Sequence, residues 1–134
     1  MPRPTKSWCG GVLDWRSGEL AAGLACYRRQ EFFEAHEHWE LVWLDLDEPE
    51  KSFLQAIIQI TAAFHHWQRG EADGTLSLLR RVRERLKACP DAFGGLAVEP
   101  LRVEVDGWLC GIEGGDSPPA FPAVVPLVNT PPLF

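Results

Sequence analysis

The stretch Phe32 to Trp43, FFEAHEHWELVW, sets three glutamates and two histidines into an otherwise aromatic and aliphatic run. Carboxylates and imidazoles are the side chains of acid–base chemistry, metal ligation and polar-ligand recognition. If the run is a helix, some of them share its packing face. A buried charge is costly unless it is paired or hydrogen-bonded. The run therefore holds either a satisfied internal network or a site.

At 100° per residue, Phe32, Trp39, Trp43 and Leu46 fall within about 40° of one direction and form the expected core stripe. His36 lies inside that stripe. Glu40 sits on its shoulder with Phe33 and Leu44, and Glu37 lies further round. Glu34, His38 and Asp45 share the opposite arc and are expected to face water. His36 and Glu40 are spaced i, i+4, so their side chains can meet.

A second helix, expected from Glu50 to Arg69, supplies a matching stripe. Pro49 suits its first turn, and Gly70 suits the position just past its end. Phe53, Ala56, Ile57, Ile60, Ala63, Phe64 and Trp67 make a broad apolar arc, extended by Leu54 and Ile58, so this helix is expected to be central. Its main polar stripe is Gln55, Gln59 and His66. The link of Leu46 to Glu48 is short, which makes the two helices an antiparallel pair. The simplest packing sets Gln55, Gln59 and His66 opposite His36, Glu37 and Glu40. Glu40 and Gln59 are then expected to reach hydrogen-bond partners across the pair.

Four chemistries fit this group of six. One is an internal network that fixes helix register, with amides satisfying Glu and His. Another is a pocket for a small polar ligand or an anion. The third is a metal site: one zinc on His36, Glu40 and His66. A di-iron arrangement lacks the needed Glu-x-x-His pairs, and glutamines are weak ligands. The fourth is metal-free acid–base catalysis. The reading adopted from the residues is a non-enzymatic helical protein whose cluster is structural or binds a small polar ligand. The alternative is a small metal-dependent enzyme using His36, Glu40 and His66. No cofactor is expected and no metal is assigned. His65 diverges from His66 by 100° and is read as incidental.

The remaining elements position this pair. Residues 1–16 read as an irregular arm with Trp8 and Trp15 as anchors on the core. Ser17 can cap a first helix with Leu20, Leu24 and Tyr27 inward. A further helix is expected from Ala72 to Cys89, stopped by Pro90, with Leu78, Leu79, Val82, Leu86 and Cys89 inside. Its arginines 80, 81, 83 and 85 and Lys87 form a solvated outer face. The last helix is expected from Glu99 or Pro100 to Cys110, interrupted at Gly107. Residues 17–115 thus form one all-α bundle of four to five helices. The tail, 116–134, is apolar but contains six prolines. It reads as an extended strap on its own domain or on a neighbouring subunit, which is one route to a homo-oligomer.

The 134 residues suffice for one domain with its own core. A net charge of −6 argues against general affinity for nucleic acid or anionic membranes. No apolar run approaches the roughly 18 residues of a membrane span. The start shows no signal-peptide pattern. Cys9, Cys26, Cys89 and Cys110 are scattered, as reduced thiols in the cytoplasm would be. No catalytic serine or cysteine motif and no phosphate-binding glycine loop is visible.

Phe32, Phe33, Glu34, Ala35, His36 and Glu37, then Glu40, Trp43, Gln55, Gln59 and His66, resemble one known family, domain of unknown function 309. The likeness covers about residues 18 to 89. It implies a compact helical bundle and implies no activity. Gly23, Tyr27, Phe33, Ala35 and Trp39 also resemble a tetratricopeptide hairpin, with one residue too many between Gly23 and Tyr27. A single hairpin does not support a peptide-binding solenoid.

Overall fold

The computed structural model describes residues 13–115. Five helices run in order: α1 (Gly18–Arg28), α2 (Phe32–Trp43), α3 (Glu50–Gln68), α4 (Ala72–Lys87) and α5 (Val98–Glu113). Each packs on the next in sequence across the α1–α2, α2–α3, α3–α4 and α4–α5 seams. The bundle is the all-α architecture expected, with α3 between α2 and α4. Trp8 and the tail lie outside the described residues, as does any strap formed by the tail.

Between α4 and α5 the chain makes a two-stranded antiparallel hairpin, β1 (Ala92–Phe93) and β2 (Leu96–Ala97). The sequence reading placed only a loop here, because two residues per strand leave no period-two pattern to detect. Gly94 and Gly95 turn the hairpin at positive φ. Trp15 seals it: its indole N–H donates to the carbonyl of Gly94 at 2.6 Å, and the ring is buried as expected.

The caps depart from expectation in detail. Ser17 does occupy the N-cap of α1, but its hydroxyl makes no cap bond. It donates instead to the Asp14 carboxylate at 2.9 Å. Pro49 stands at the N-cap of α3 rather than in its first turn. Helix α5 starts earlier and ends later than expected, and Gly107 lies inside it, because Trp108 and Leu109 beyond the glycine are buried.

The α1–α2 and α3–α4 junctions share one geometry. Gly70 has φ +77°, with its N–H on the Trp67 carbonyl and the Glu71 N–H on His66. Gln30 repeats this with φ +62°, closing on Tyr27 while Glu31 closes on Cys26. Both are Schellman closures. A left-handed side-chain residue costs about 1–2 kcal/mol. Gln68 of α3 offsets part of that by donating to the Gln30 carbonyl at 3.0 Å.

The core is built round α3, whose Phe53, Leu54, Ala56, Ile57, Ile60, Ala63 and Phe64 are buried. A run of aromatic contacts ties the helices together. Trp15 meets Trp39 edge-on at 5.5 Å, and Tyr27 stacks on Trp39 at 6.0 Å. Phe32 meets Phe64 at 5.5 Å, and Phe64 meets Trp108 at 4.7 Å. Trp43, expected beside Trp39 in the core, is only half-buried. It is the last residue of α2, and Lys51 Nζ lies 4.2 Å from its ring centroid. No described helix is long and apolar enough to cross a membrane.

Candidate functional site

Helix α2 buries Phe32, Ala35 and Trp39 and turns its other sides outward. His36 is partly covered. Its Nε2 lies 3.1 Å from Glu40 Oε2, the i, i+4 pair expected from spacing. Glu40 therefore finds its partner on its own helix and not across the α2–α3 seam. His36, Glu37 and Glu40 line one depression of about 350 Å³ with Phe33, Leu41 and Leu44. These three apolar side chains are 47%, 57% and 62% exposed. The wheel placed Phe33 and Leu44 on the shoulder of the core. In the fold both remain exposed, with only His65 of α3 against Phe33.

Gln55, Gln59 and His66 do not line this depression. His66 is held at the end of α3, where its Nδ1 meets Glu71 Oε1 at 2.6 Å. The contact holds the Glu71 carboxyl below the usual carboxylate range, with the hydrogen bond to His66 as the main cause and Arg69 assisting. Gln59 faces the helix packing, and its Oε1 is buried with no hydrogen-bond partner among the described residues. The same is true of His36 Nδ1 and Trp43 Nε1. His38, expected in open water, pairs with Glu19 of α1 at 2.7 Å. Among the described residues no three His, Cys, Asp or Glu side chains come close enough to hold a metal ion.

The sequence reading passed over several residues that line the depressions. Leu41 had no place in its wheel argument, yet it lines the depression with Leu44. His65, read as incidental, tilts against Phe33 at 5.6 Å. With Gln30, Glu31, Phe32, Phe33, Glu34, Gln68 and Arg69 it lines a second depression of about 540 Å³. Phe33 borders both. Phe33, Leu41 and Leu44, apolar residues outside the core stripe over three turns, were the signal available in the sequence. On α4, Arg80, Arg81 and Lys87 are exposed as expected, with Arg80 bridging to Glu113 of α5 at 2.6 Å, whereas Arg83 and Arg85 are partly buried.

Residues 20–78 match the model of a family described as Domain of unknown function (DUF309). The match runs from α1 into α4 and contains every residue on which the resemblance was drawn, so it bears that resemblance out. No curated protein matches the chain.

Proposed function

We propose that this protein is a non-catalytic binding module that presents the outer face of α2 to a cationic, partly apolar ligand, in the cytoplasm. The observation that carries the reading is the depression lined by His36, Glu37 and Glu40 together with exposed Phe33, Leu41 and Leu44. Carboxylates attract a cation, Phe33 offers it a ring face, and the leucines take up an apolar group. Glu37 makes no ion pair among the described residues, so its charge is available.

A purely structural role for the polar residues is less well supported. A self-sufficient internal network satisfies its members. Here His36 Nδ1, Gln59 Oε1 and Trp43 Nε1 have no hydrogen-bond partner among the described residues. The metal-dependent reading would need His66 beside His36 and Glu40, whereas His66 is engaged with Glu71. The free thiols Cys26, Cys89 and Cys110 accord with a reducing compartment.

The test is a titration followed by amide NMR shifts, using phenethylamine and the oppositely charged 3-phenylpropionate. The expected result is saturable shifts confined to α2 with the amine and none with the acid. Equal response to both probes, or shifts elsewhere only, would reject the reading.

A further inference from the structure

The outer face of α2 is too long and too open for a small molecule alone. From Phe33 to Leu44 the helix advances about 16 Å, three turns. The residues around the first depression all belong to α2 and its C-cap Leu44, so among the described residues it has one wall. Ligand sites for small molecules bury most of their occupant. Phe33 joins this depression to the second one, which continues past Glu31 and Glu34 to His65, Gln68 and Arg69. The result is a trough with an apolar stripe at positions 33, 41 and 44 and carboxylates at 34, 37 and 40 beside it.

We infer that this trough is a docking surface for a basic amphipathic helix of another protein. The inference rests on the binding-module reading and names its partner class. A helix laid along α2 supplies the missing wall, sets its own apolar residues on Phe33, Leu41 and Leu44, and places lysines or arginines against Glu34, Glu37 and Glu40. Charge decides against the other occupants. A second copy related by a two-fold axis would bring the same glutamates face to face. Nucleic acid and anionic lipid are repelled by the same row.

The experiment uses the full chain and two labelled helical peptides of about 14 residues, four turns long, with the same leucine spacing and either lysine or glutamate elsewhere. Binding is read by fluorescence anisotropy. The lysine peptide binds and weakens as salt rises; the glutamate peptide does not bind. Leu41→Ser and Leu44→Ser, both at exposed positions, each weaken the lysine peptide by about tenfold with the circular dichroism unchanged. Equal binding of both peptides, or indifference to both substitutions, overturns the inference. So does concentration-dependent self-association abolished by Leu41→Ser, which would give the face to a second copy. If phenethylamine shifts α2 while the lysine peptide fails to bind, the partner class is wrong and the binding-module reading stands. If neither binds, both fall.

Discussion

The indole of Trp39 lies directly on Gly23: a Cβ at position 23 would fall 2.2 Å from Trp39 Nε1. That nitrogen also donates to the Leu20 carbonyl at 3.1 Å. The missing side chain thus lets α1 approach α2 closely enough for an indole to bridge backbone and ring. Gly23→Ala is expected to destabilise the fold by about 1–3 kcal/mol, because a fully buried indole has no free volume into which to retreat. Chemical denaturation measures it, and an unchanged midpoint would contradict the packing.

Trp39 and Trp43 separate two degrees of burial on one helix. Trp39 is fully buried, and its removal should cost about 3–5 kcal/mol. Trp43 is half-buried under Lys51, so Trp43→Ala should cost under about 2 kcal/mol. Equal losses in parallel melts would count against the difference in packing.

Arg102 closes the end of α4. Its guanidinium donates to the Leu86 carbonyl at 3.0 Å and to the Cys89 carbonyl. It also pairs with Asp91 and Glu99, each at 2.8 Å. Arg102→Ala leaves orphan carbonyls at a helix end and frees the hairpin, with an expected loss of roughly 1–3 kcal/mol. Arg102→Lys should recover little of it, since a lysine cannot fork. Full recovery by lysine would show that charge alone matters there.

The His66–Glu71 contact has a defined pH sign. The carboxyl is held below its ordinary value of 4.5 by the hydrogen bond from His66. A depressed carboxyl contributes stability that is present above its unfolded value and is lost as pH falls through the folded one. The Glu71 side-chain carbon should therefore titrate below 4.5, and His66→Ala should raise that midpoint. A midpoint indifferent to His66→Ala would remove the contact from the account.

Much of the fold was legible in the residues. Apolar periodicity located α2, α3 and α4 to within a residue or two, and Gly70 marked the end of α3 at the left-handed position it was expected to fill. What a helical wheel cannot supply is the identity of the neighbour. It placed Phe33, Leu44 and Glu40 on one shoulder of α2 but could not show that Phe33 and Leu44 stay exposed there. It likewise set His66 on the same arc as Gln55 and Gln59. Glu71, just past the end of α3, then engages His66 through a turn whose path no periodicity reveals.

The claim that the outer face of α2 recognises a cation is tested most directly by one pair of dissociation constants. Phenethylamine is titrated into the full chain and into its Glu37→Gln/Glu40→Gln double variant, following α2 amides. Two exposed carboxylates at about 0.5 kcal/mol each should make the variant bind about fivefold more weakly, with its melting temperature unchanged. Equal dissociation constants for the two proteins would contradict the account.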